Sequence, residues 1–167
     1  MHDFEIEVDV MGQIHLGELL GNDLDYGLGI KLPTFPLNTD GLDPAGRNIL
    51  IERVNITNFD DAVAVKPLDR GNNIHCTENL VVRDCNVWWG VGMAIGSVYP
   101  SDNYRCIRNV TFKDINFYHP FKAIYVKTNS GDTSSMLPGS GGEITNIVYE
   151  NIEINTPVWF GIYIGPQ

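Results

Sequence analysis

Four stretches of the chain alternate apolar and polar residues in the same way, and each opens on an asparagine. They are Asn48–Thr57, Asn79–Trp88, Asn109–Tyr118 and Asn146–Asn155. The asparagines recur 31, 30 and 37 residues apart. The middle of each stretch carries a charged or amide pair, such as Arg83-Asp84 or Lys113-Asp114. A second, shorter alternating stretch follows each one: Ala62–Lys66, Met93–Ser97, Ala123–Lys127 and Phe160–Ile164. Asp40–Pro44 has the look of an earlier copy. Alternation rich in Val and Ile predicts strands, and the Gly, Asn, Asp and Pro residues between them predict turns. No segment of useful length repeats with a helical period.

Short strands returning at this interval predict an all-β solenoid, a parallel β-helix whose coils each add two or three strands to stacked sheets. A β-sandwich also alternates, but it does not need successive strand pairs to resemble one another. The opening asparagine suits a turn, where its amide can cap the backbone or stack on its counterpart one coil away. Side chains alternate along a strand, so the register separates an inside from an outside. Val63, Val65, Ile95, Ile124, Val126, Ile162 and Ile164 point inward in this reading. One outward column runs Asp43, Ala64, Ala94, Tyr125, Tyr163, and another Lys66, Gly96, Lys127, Gly165. Small residues beside large polar ones predict a groove on that face.

Composition narrows the function classes. With 43% hydrophobic and 19% charged residues, the 167-residue chain is globular and long enough for a sizeable core. A net charge of -10 argues against nucleic acid, whose phosphates want a basic face. No apolar run is long enough to span a bilayer, so no membrane is expected. The acidic start, Met1 to Glu5, has no signal-peptide character. Cys76, Cys85 and Cys106 match no zinc pattern, and Cys76 could bridge to either of the others in an oxidising compartment. Trp88, Trp89 and Trp159 read as packing residues. His2, His15, His75 and His119 read as loop or turn residues.

The carboxylates are the candidate chemistry. Asp40 precedes Asp61 by 21 residues. In this register the two stand on neighbouring rungs, ~4.8 Å apart at the backbone. Asp60 adjoins Asp61, and Asp43 lies just beyond Asp40. Like charges this close must raise at least one pKa. A protonated acid beside an ionised base is what cleavage of a glycosidic bond needs. A calcium site, or carboxylates serving only as turn residues, are the other readings of the same residues.

The stretch Asn38-Thr39-Asp40-Gly41-Leu42-Asp43 closely resembles the NTDG-x-D motif of polygalacturonases, glycoside hydrolase family 28. Asp60-Asp61 leading into Ala62-Val63-Ala64-Val65 resembles that family's second motif. Gly90-Val91-Gly92-Met93-Ala94-Ile95-Gly96-Ser97 resembles the third, and Ala123-Ile124-Tyr125-Val126-Lys127-Thr128 the fourth. The four occur in order on successive coils, between about residues 35 and 165. The resemblance implies a right-handed, single-stranded parallel β-helix that hydrolyses pectic polysaccharide with inversion, without metal or cofactor. It implies Asp60 as the general acid, Asp40 and Asp61 as the carboxylates that activate water, and Lys127, Tyr125, Asp43 and Asn38 as substrate contacts. Secretion follows from the resemblance alone. The expected unit is one domain over residues 1–167, part of a longer β-helix, with its oligomeric state open.

Two departures bear on function. Val91 stands where polygalacturonases carry His, and Tyr125 where they carry Arg. Members that cleave rhamnogalacturonan also lack the His, and Tyr125 could stack on a sugar face instead of clamping a carboxylate. A non-catalytic carbohydrate-binding or structural β-helix is the main alternative. A calcium-dependent pectate lyase is a further one, against which the neutral residues at 91 and 125 and the motif order argue.

Overall fold

The computed structural model describes residues 1–8, 39–68, 75–99, 104–128 and 141–166. Among these residues nine strands follow one another: β1 (His2–Glu7), β2 (Arg47–Asn58), β3 (Asp61–Val65), β4 (His75–Trp89), β5 (Gly92–Ile95), β6 (Arg105–Tyr118), β7 (Lys122–Thr128), β8 (Gly142–Asn155) and β9 (Phe160–Pro166). Among the described residues there is no helix. All strand pairs are parallel, in two ladders ordered β1-β2-β4-β6-β8 and β3-β5-β7-β9. The chain thus alternates between two stacks as it climbs, which is the parallel β-helix expected from the repeat. His2 and His75 belong to strands rather than loops, and His15 lies outside the described residues.

The repeat asparagines explain how strands of up to 15 residues turn corners. Asn48, Asn79, Asn109 and Asn146 all adopt left-handed backbone, φ 53–58°. So do Arg53, Asp84, Asp114 and Asn151 at the mid-stretch pairs. One left-handed residue bends an extended strand without ending it, and Asn and Asp accept that conformation better than other non-glycine residues. At the first corner the amides form a ladder. Asn79 donates to Asn48 (3.1 Å), Asn109 to Asn79 (3.3 Å) and Asn146 to Asn109 (2.6 Å).

The inner faces build one core. Val54, Cys85 and Ile115 pack in one column, Ile56, Val87 and Phe117 in the next, and Val63, Met93, Val65 and Ile95 close it from the other stack. Ile162 and Ile164 keep the inward register opposite Ile124 and Val126 but are exposed, because β9 pairs only with β7. Of the two pairings open to Cys76, the chain forms Cys76–Cys106, joining β4 to β6. Cys85 is a free thiol buried in the core, and burial pushes its pKa up.

Candidate active site

The chain between β2 and β3 makes a sharp turn at Asn58–Asp61, and this turn assembles the site. The Asn58 amide donates both to the Thr39 carbonyl (2.9 Å) and to the Asp61 carbonyl (2.8 Å). It thereby ties the segment carrying Asp40 to the turn carrying Asp60 and Asp61. The Phe59 N–H adds a bond to the Thr39 hydroxyl (3.1 Å), and the Asp61 N–H donates to the Asp60 carboxylate (2.8 Å). Gly41 and Leu42 donate to the carbonyls of Asp61 and Ala62, at 2.9 and 3.1 Å, continuing the ladder one coil back. A side chain on Gly41 would run into the Ala62 carbonyl, so the motif glycine is what lets these coils approach.

The outcome is convergence. Asp40, Asp60 and Asp61 present carboxylate oxygens that all lie within 4.8 Å of one another. The convergence has a simple cause, since Asp40 and Asp61 sit on adjacent rungs and Asp60 adjoins Asp61. Asp40 is half-buried, and its carboxyl is pushed up to about 6, first by desolvation and then by Asp60, Asp43 and Asp61. Asp61 is 1% exposed, and burial pushes its carboxyl up against the opposing pull of Lys127. Asp40 and Asp61 are thus both shifted toward the protonated form. They could equally ligate a hard divalent cation.

Lys127 is 5% exposed, and its ammonium donates to Asp61 Oδ2. The other carboxylate oxygen, Oδ1, is buried and has no hydrogen-bond partner among the described residues. The ammonium expected to meet a substrate carboxylate is therefore occupied by an enzyme carboxylate. Tyr125 is 4% exposed, packed with Ala64, Ala94, Val91 and Tyr163, and its hydroxyl donates to the Pro166 carbonyl (3.2 Å). Its faces are covered, so it packs beneath that face of the sheet instead of offering a ring to a sugar. Asp43 is exposed in the outward column, with Lys66 Nζ 3.9 Å from its carboxylate. Asn38 lies outside the described residues.

Two residues of the site, Asn58 and Lys122, are not among those the sequence singles out. Asn58 sits immediately before the turn that leads into the paired aspartates, and an amide at such a bend is the signal that could have found it. Lys122 opens β7, with its ammonium 3.8 Å from the Tyr125 ring centre and 4.3 Å from that of Tyr163. Trp88 and Trp89 do pack, stacking on Tyr118 and His119. Trp159 does not meet that expectation, because it is 60% exposed beside Phe160 and Tyr163.

The family profile described as Glycosyl hydrolases family 28 matches residues 20–167. The chain belongs to glycoside hydrolase family 28. Among curated relatives of this family-28 chain, a probable endopolygalacturonase C of Aspergillus niger is 34% identical over 76% of the chain and 29% of its own length. A probable rhamnogalacturonase E of Aspergillus flavus is 32% identical over 67% of the chain and 20% of its own length. A polygalacturonase of Juniperus ashei is 30% identical over 77% of the chain and 22% of its own length. The chain thus spans less than a third of each of these relatives. No solved structure gave a significant match. In the family-28 chain the described residues of all four motif segments fall on the β3-β5-β7 side of the helix, where the three aspartates meet.

Proposed function

We propose that this chain carries the catalytic coils of a glycoside hydrolase acting on pectin-type polysaccharide. One observation carries the reading: two successive coils bring carboxylate oxygens of Asp40, Asp60 and Asp61 to within 4.8 Å of one another. In the proposed chemistry Asp60 protonates the leaving glycosidic oxygen. Asp40 and Asp61 accept the proton of the water that attacks the anomeric carbon. Lys127 holds Asp61 in place and opposes the upward push that burial gives its carboxyl. The relatives named as polygalacturonases and a rhamnogalacturonase support a pectic substrate. The Cys76–Cys106 disulfide supports secretion into an oxidising compartment. No helix among the described residues is long and apolar enough to cross a membrane.

The test is release of reducing ends from polygalacturonate and from rhamnogalacturonan, with Asp60→Asn alongside. Release that disappears in the variant supports the reading, and the preferred polymer shows how Val91 and Tyr125 tune it. A folded chain that releases nothing from either polymer sinks it. The second reading, carbohydrate binding without turnover, is favoured by the engagement of Lys127 with Asp61 and the burial of Tyr125, which remove two substrate contacts.

A further inference from the structure

Where a family-28 site would offer a cation at position 125, this chain has a buried phenol, and the ammonium of Lys127 is spent on Asp61. The same face nevertheless holds another cation. Lys122 stands at the start of β7, one coil beyond the Gly90–Gly92 turn; its N–H donates to the Gly90 carbonyl (3.4 Å), and Gly92 pairs with Asp61 on the coil before. Its Nζ lies over Tyr125 at 3.8 Å and over Tyr163 at 4.3 Å, with Trp159 at 5.3 Å. Among the described residues no carboxylate is within ion-pair distance of it. Asp61 and Asp60 are still near enough to favour its charge, while burial lowers its pKa and Lys127 opposes its charge. An ammonium held on aromatic faces is fixed in direction but keeps its hydrogen-bond donors unspent.

We propose that Lys122 is the group that receives a carboxylate of an acidic sugar in this chain, with Tyr125 and Tyr163 as the aromatic seat that aims it. The substrate class is a polymer of uronate units with free carboxylates, in preference to its methyl ester. The proposal rests on the carbohydrate-active reading above, and it assigns to this chain a selectivity residue outside the four motif segments. Tyr125 then has a role that its burial allows: it does not touch sugar, it holds the lysine that does. Val91 is consistent with this arrangement, since it packs as an apolar side chain against the same floor of Ala64, Ala94 and Tyr125.

The experiment is calorimetric titration of an oligogalacturonate and of its fully methyl-esterified form. Both are titrated into the full chain carrying Asp60→Asn, so that binding is read without turnover. The acid form is expected to bind more tightly, and Lys122→Met to shrink that preference roughly tenfold, as loss of one charge-assisted contact does. Lys122→Arg should restore most of it. Tyr163→Leu, which keeps the lysine but removes half of its seat, should weaken the preference by less than Lys122→Met. An acid-to-ester ratio unchanged in Lys122→Met overturns the assignment, and so does a folded chain that binds neither oligomer. Reducing-end release from the unmodified chain judges the hydrolase reading separately. Release without any Lys122 effect removes only the selectivity residue, and acid-selective binding without release removes only turnover.

Discussion

The Lys127 ammonium and the Asp61 carboxylate are joined in a buried ion pair across 66 residues of sequence. Lys127 is on β7 and Asp61 on β3, and β5 lies between them in the sheet. The side chain therefore spans a whole strand to reach its partner. Gly96, on the extension of β5, has φ +96°, and a side chain added there would come within 3.0 Å of the Lys127 carbonyl oxygen. A glycine at that position lets the backbone carrying Lys127 lie close against the middle coil. A buried pair adds little net stability, but removing one partner strands a charge out of water.

Lys127→Met should accordingly cost about 3–5 kcal/mol of folding stability. Adding Asp61→Asn to it should recover part of the loss, since no charge is then left unpaired. Thermal unfolding of the two single variants and the double variant measures the coupling. Additive losses would mean that the two side chains do not act as a pair.

The elevated Asp40 carboxyl makes a statement about pH and stability. Its ordinary value is 3.8, and in the folded chain it is about 6. The native state therefore holds a proton that the unfolded chain releases. The associated stability is complete below the unfolded value and is lost as pH rises through about 6. Asp61, pushed in the same direction, contributes with the same sign. Because Asp40 is partly wet, its share is on the order of 1–2 kcal/mol rather than the full difference. Urea midpoints should fall between pH 4 and pH 7 more steeply in the native chain than in Asp40→Asn, with the variant the more stable above about pH 6. A difference that grows in the opposite sense would show that Asp40 is stabilised as the anion.

Gly92 sits between the coils carrying Asp61 and Lys122, with φ +78°. A Cβ there would overlap the Ala123 carbonyl oxygen, which is backbone and has no room to retreat. Gly92→Ala should lose about 4 kcal/mol or more, or leave the chain insoluble, by combining a clash with a strained backbone. Gly161→Ala is the matched control, because its added carbon would meet only the Ile154 side chain at an ordinary 3.6 Å. Comparable melting temperatures for the two variants would rule out the close approach of coils at Gly92.

Much of the fold is legible in the amino-acid pattern, because its rule is local. An asparagine every coil marks the same left-handed corner, and alternation between corners assigns each side chain a face. Asp40 and Asp61 are predictable neighbours for the same reason, being one rung apart in register. What escapes the pattern is set by reach and cover instead of register. Nothing local says that Lys127 will cross β5 to Asp61, or that Tyr125, though outward, will be roofed by Tyr163 and Lys122. Lys122 opens a strand and falls in none of the outward columns, so its place in the groove depends on aromatic residues of its own and the next coil. The Cys76–Cys106 choice likewise needs the pairing of β4 with β6, which puts those two residues side by side and leaves Cys85 opposite Ile115.

The last repeat interval is 37 residues where the one before it is 30, yet every residue paired between β6 and β8 keeps the same offset. Of the seven surplus residues, one falls between β6 and β7 and six between β7 and β8. A β-helix of this kind works as a ruler with expandable spacers. Lengthening a connection adds chain between two strands without moving any mark along the ladder. Loop length and site geometry can therefore diversify independently, and a change of polymer preference need not touch the coils that hold Asp40, Asp60 and Asp61.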